Sequence, residues 1–127
     1  MRIYRGIIFT YPHGDYFRQG LKQMNIRAKY LPSILSKNLL VIQNKMALGI
    51  VKFTKIIAIK RSEIKKYYKY HHISPTEVNK WWRHTIKQFY AYKMKTIQIF
   101  KKPKPVEYPS GPRILIKPEN IHFKKID

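Results

Sequence analysis

The segment GLKQMNIR, residues 20 to 27, gathers side chains that can do chemistry. Lys22 can act as a base or nucleophile where its surroundings lower its pKa, and Arg27 can hold a phosphate through two parallel hydrogen bonds. Asn25 cannot serve as a general base or bind a hard metal strongly. It donates and accepts at once, however, and so can read the edge of a base. The odd spacing of Lys22 and Arg27 puts them on opposite faces of a regular strand, whereas Arg27 shares a face with Asn25. Lys22 joins them only if it sits at the strand mouth, before alternation begins, or if a bulge intervenes. The plainer alternative is two solvated cations in a chain that is basic almost throughout, and an Asn25 bonded to a nearby loop.

Two further segments, YYKYHH and NKWWRH, interleave aromatic rings with positive charge. Such rings can stack on unpaired bases while Lys and Arg hold the backbone. Lys29, Trp82 and Arg83 thereby join Lys22, Asn25 and Arg27 as candidate nucleic-acid contacts. Helical placement of these segments makes Trp81, Ile86 and Tyr67 core residues, with one of the adjacent pair Trp81 and Trp82 half exposed. His71, His72 and His84 have poor spacing for zinc, and no cysteine completes a ligand set, so no metal is expected. No cofactor is expected either, since no phosphate-binding loop or dinucleotide fingerprint is present, and no Ser-His-Asp order appears.

These side chains belong to 127 residues, enough for one domain, residues 1 to 127, with one real core. A hydrophobic content of 44% marks a folding chain and not a basic tail. The 27 lysines and arginines oppose six acidic residues, for a net charge of +21. Self-repulsion on that scale opposes compaction. A polyanion is the expected partner, nucleic acid first and RNA before DNA, because phosphate contacts release counterions. An adaptor on an anionic membrane or an acidic protein needs only the charge. Without cysteine there is neither a disulfide nor a thiolate site. No leader core or membrane span is read, and the expected location is cytoplasmic, away from membranes.

The elements that must position these residues follow from local pattern. Residues 3 to 11 read as a strand broken by PHGD, and residues 15 to 19 as a short helix ending at Gly20. Residues 22 to 30 alternate, with Met24, Ile26 and Ala28 on one face. Strands follow at 38 to 43 and 50 to 59, with NKMALG as the turn and Gly49 as a bulge. SEIKKYYKY reads as a helix capped by Ser62. SPTE starts another running to about residue 83, with Ser74 and Glu77 as a capping box around Pro75. A fifth strand spans 89 to 100, and a sixth 113 to 117. KKPKPVEYPSGP is a proline-rich edge, strand-like at most near Val106.

This order resembles the ASCH family, a branch of the PUA-like β-barrels. Its signature is Gly-x-Lys-x-x-Glu-x-Arg; Gly20, Lys22 and Arg27 match it, and Asn25 replaces the glutamate. FTYP, NLLVIQNKMALGIVKFTKI, ISPTEVNKW and FYAYKMKTIQIFKKPKPV resemble successive family segments. The resemblance covers residues 3 to 106 and leaves 107 to 127 as a C-terminal extension. It implies an α+β fold: a small mixed PUA-like barrel of five or six strands and two or three short helices, the signature lining a cleft beside the first helix. Related domains bind RNA or modified bases, and some members resemble ribonucleases or amidohydrolases of acylated pyrimidine nucleosides. In the amidohydrolase branch the catalytic residues carry over to Lys22 and Asn25, with Glu77 third by position, although Glu77 reads first as a helix cap. The expectation is a nucleic-acid-binding module, the alternative a hydrolase using Lys22.

Overall fold

Two long strands form the spine of the computed structural model, which describes residues 2–110 and 115–124. β1 is Arg5–Ile8, β2 Met24–Arg27, β3 Leu39–Gln43, β4 Met46–Lys60, β5 Gln88–Glu107, β6 Leu115–Ile116 and β7 His122–Phe123. Three short helices, α1 His13–Arg18, α2 Tyr68–His71 and α3 Pro75–Trp81, lie between them. β4 and β5 pair antiparallel along most of their length. β2 adds to β5, β3 to β4, β1 runs parallel to β3, and β6 pairs with β1. The path is therefore β2-β5-β4-β3-β1-β6, with β7 on the far end of β5. This is the α+β class with a mixed sheet, as the sequence implied. Among the described residues it has seven strands where five or six were expected, and the strand path of this barrel-like sheet stays open.

Local chemistry explains most of the elements. Asn44 and Lys45 both have positive φ, 51° and 60°, the geometry of a two-residue hairpin whose twist matches its strands. Gly49 lies at a register shift, where a Cβ would stand 2.2 Å from the Gln98 carbonyl oxygen. The expected bulge is thus present, and the close backbone approach requires glycine. Ser74 and Glu77 form the capping box of α3: the Ser74 amide donates to Glu77 Oε1 at 2.9 Å and the Glu77 amide to Ser74 Oγ at 3.1 Å.

Other boundaries moved. Residues Arg61–Tyr67 form a 3₁₀ helix before α2, so SEIKKYYKY is not one α-helix. Its cap is Lys60, whose amide donates to Glu63 at 2.9 Å, because β4 runs straight into the turn and Ser62 is already inside it. β5 continues through Pro103 and Pro105 to Glu107. The Val106 amide donates to Lys45, so by alternation the missing N–H groups of both prolines fall on the opposite edge. There the Pro105 carbonyl accepts from the Lys124 amide. Of the expected sixth strand, Leu115 and Ile116 pair with β1, while Arg113 and Ile114 lie outside the described residues.

The main core packs Ile7, Phe17, Val41, Val51, Phe53 and Tyr92. Two satellite clusters flank it. Met24, Ile26, Ile59, Ile64 and Phe89 form one; Leu40, Ile42, Ile50, Phe100 and Ile116 form the other. Every residue of β3 is buried, as befits a strand covered on both faces. Among the described residues no helix is long and apolar enough to cross a membrane.

Candidate functional site

The two ends of the open strand path face each other across a cleft of about 780 Å³. Ile8 of β1 and Leu115 of β6 line one lip; Asn25 and Arg27 of β2, with Lys29 beyond it, line the other. Phe9, His13, Lys22, Trp81 and Trp82 complete the wall. The gap that keeps the sheet from closing is therefore the cavity itself.

Alternation in β2 works as the sequence indicated. Met24 and Ile26 point into a core cluster, while Asn25 and Arg27 are half-buried on the cleft side. Lys22 precedes the strand, so alternation does not govern it. Gly20, with φ of 75°, supplies the left-handed residue after α1 that turns the chain inward. The Lys22 stem is then swallowed, leaving the residue 3% exposed. Burial pushes its amine down to about 7, against a smaller upward pull from Glu77.

The hydrogen bonds around Lys22 have a fixed sense. Its Nζ donates to the His71 carbonyl at 2.6 Å and lies 3.2 Å from His13 Nδ1. His13 Nε2 lies 2.9 Å from Glu77 Oε2. A carboxylate only accepts, so the His13 proton is on Nε2 and its Nδ1 accepts from Lys22. Burial first, then neighbouring Lys22, lowers the His13 pKa and keeps the ring neutral. Burial pushes the Glu77 carboxyl up, but the Ser74 amide and His13 together hold it below its usual value. His71 accepts the Ile73 amide on Nδ1 and donates from Nε2 to the Ile64 carbonyl. Burial pushes it down to about 4, so it is neutral scaffolding that aims its own carbonyl at Lys22.

A neutral Lys22 amine thus has both hydrogens engaged by protein acceptors and its lone pair left for an occupant of the cleft. The Trp81 ring stands edge-on to His13 at 5.4 Å, and Trp82 edge-on to Phe89 at 5.1 Å. Both indoles are half-buried, so Trp81 is cleft wall as much as core. Arg27 loses some basicity to burial and has no carboxylate beside it. Among the described residues carboxylates meet basic side chains only where Glu77 accepts from His13 and where Glu107 pairs with Lys124.

The cleft therefore brings together Lys22, Asn25, Arg27, Lys29 and Trp82, with Glu77 reaching Lys22 through His13. Arg83 does not line it; that residue is exposed past the end of α3, its carbonyl bound by Arg61. His13 was missed in the sequence. PHGD carried only a strand-break signal, and nothing in its spacing tied it to Lys22 or Glu77. Among the described residues no cluster of His, Asp or Glu is arranged to hold a metal.

No family model matches the sequence, and no curated protein matches it. Solved structures do. The crystal structure of ASCH from Zymomonas mobilis superposes with a TM-score of 0.64 at 14% identity, covering 94% of this chain and 77% of that one. A point mutant of the same protein gives 0.67 at 15% identity, over 80% and 73% of the two chains. The protein EF3133 of Enterococcus faecalis gives 0.55 at 10% identity, over 80% and 85%. With its mixed sheet, its short helices and its Gly20-Lys22-Arg27 cleft, the chain has an ASCH-like fold.

Proposed function

We propose that the protein is a nucleic-acid-binding module, with RNA the favoured class, and that the cleft receives one nucleotide of a bound strand. The observation that carries this reading is the company of Asn25, Arg27, Trp81 and Trp82 in one cavity of a chain with net charge +21. An indole offers a stacking face to any base, Asn25 can pair with a base edge, and Arg27 and Lys29 can hold flanking phosphates. Lys22, buried and lowered to about 7, serves as a hydrogen-bonding group at the cleft floor more than as a permanent phosphate cation. The test is binding of labelled single-stranded RNA and DNA of one sequence across a salt series. The logarithm of affinity should fall with log salt by roughly 0.7 to 0.9 per phosphate neutralised. An affinity unchanged between low and physiological salt overturns the proposal.

A specific observation favours a second reading, a hydrolase of RNA or of a modified nucleoside. Lys22, lowered to about 7 and linked through His13 to Glu77, has the makings of a general base near neutral pH. Cleavage or deacylation that disappears in Lys22→Met while binding persists would support it. Binding without any turnover leaves the first reading alone.

A further inference from the structure

Lys52 stands directly across the β4–β5 ladder from Lys95, and Lys55 directly across from Lys93. Residues facing each other in this way share one side of the sheet and have Cβ atoms about 5 Å apart. Lys93 and Lys95, two residues apart, also share that side. Lys52 and Lys55 would not, three apart on a regular strand. They do because Thr54 is an extra residue: the register passes from Phe53↔Met94 to Lys55↔Lys93. The bulge turns Lys55 outward beside Lys52 and leaves Phe53 and Met94 on the core side.

Four lysines are thereby gathered in two facing pairs. Like charges directly opposite destabilise a sheet, and among the described residues no carboxylate pairs with any of the four. Lys55, Lys93 and Lys95 are exposed and Lys52 is half-buried, on the side that carries the satellite clusters. Ile50 belongs to one cluster and Ala91 to the other, each two residues along its strand from this quartet, so the lysines occupy the uncovered stretch between them. The exposed Tyr70 is tied to this part of the ladder, since its carbonyl accepts from the Gln23 amide and the Gln23 carbonyl accepts from the Met94 amide.

We propose that this uncovered stretch binds the phosphodiester backbone of a nucleic-acid strand, the pairs Lys52–Lys95 and Lys55–Lys93 each holding a phosphate. The proposal rests on the nucleic-acid reading of the cleft and extends it to a second surface. Successive pairs are about 7 Å apart along the strand, a step of the order of the separation between neighbouring phosphates. The regular, one-sided placement suits a linear polyanion better than an acidic protein surface, whose charges are irregular. The arrangement weakens the isolated fold, and a bound strand reverses that effect by neutralising both pairs.

Binding and stability should therefore respond in opposite directions. In Lys93→Glu/Lys95→Glu each pair becomes an ion pair across the ladder, so thermal unfolding at low salt should move upward. Affinity for a labelled 20-nucleotide RNA should fall at least ~10-fold at moderate salt, with the salt slope smaller by at least about one per reversed lysine. Lys37→Glu/Lys117→Glu changes net charge equally at exposed lysines elsewhere and should have a clearly smaller effect. Lys93→Gln/Lys95→Gln gives the same comparison should the reversed pair fail to fold. Equal losses from the two sites in a protein that binds RNA overturn this proposal and leave the cleft reading standing. Wild-type protein that binds no nucleic acid overturns both. Equal loss of binding to polyglutamate and to RNA overturns the assignment to nucleic acid.

Discussion

Lys22 and His13 share a hydrogen bond in which the amine is the donor, Nζ to Nδ1 at 3.2 Å. Two basic groups in that contact cannot both carry charge comfortably, and burial already disfavours charge on each. The pair is stable because Glu77 fixes the imidazole tautomer from the other side, and α3 fixes Glu77.

The first prediction concerns pH. The Lys22 amine is lowered to about 7 in the folded protein from an ordinary 10.5. Between those values the unfolded chain binds more protons, so this residue makes stability rise with pH, by at most about 1.4 kcal/mol per pH unit. Below pH 7 its burden is full and constant; above 10.5 it is gone. Lys22→Met keeps the buried stem and removes the charge. It should be the more stable form at pH 6, with the difference from wild type shrinking as pH rises toward 10. Urea unfolding of both proteins across that range measures it.

The cap of α3 gives a second. Ser74→Ala should destabilise the fold by about 1 kcal/mol through loss of the bond from the Glu77 amide. Glu77→Gln should lower the His13 pKa further, because the carboxylate is what holds it up. Chemical-shift titration of the His13 ring reads the change directly.

Asn25 and Arg27 separate two kinds of contact. Asn25→Ala should weaken binding by about 1 to 3 kcal/mol and alter preference among nucleic acids while the salt slope holds. Arg27→Ala should reduce the slope by about one. Filter binding at several salt concentrations distinguishes them.

The indoles give a fourth prediction. Trp81→Ala or Trp82→Ala should cost about 1 to 3 kcal/mol of affinity if a base stacks there. Strand binding should quench tryptophan fluorescence in the wild type, and each single variant should retain only part of that quenching.

Much of this was legible in the chain. The capping box at Ser74, the Gly49 bulge and the alternation of Met24 through Arg27 each follow from local chemistry, and each formed. The gathering of Lys22, Asn25 and Arg27 was legible in the Gly-x-Lys-x-x-x-x-Arg pattern and in a strand-mouth placement of Lys22, since regular strand periodicity would have parted Lys22 from Arg27. What stayed hidden depends on distant partners. His13 meets Lys22 and Glu77 only because α1 and α3 converge. The course of β5 through Pro103 and Pro105 depends on which edge meets β4. Thr54 looks like any strand residue until its register against Lys93 is known.

The open strand path also determines how the cleft is tuned. Its lips belong to the first and last strands of the path, β2 on one side and β1 with β6 on the other. Their separation depends on more than the lips themselves. It also reflects the accumulated twist and coiling of every strand between, and bulges increase local twist. The irregularities of β4 near Gly49 and Thr54 therefore act on the aperture from a distance. A substitution that straightens either one changes which ligand fits without touching the residues that meet it.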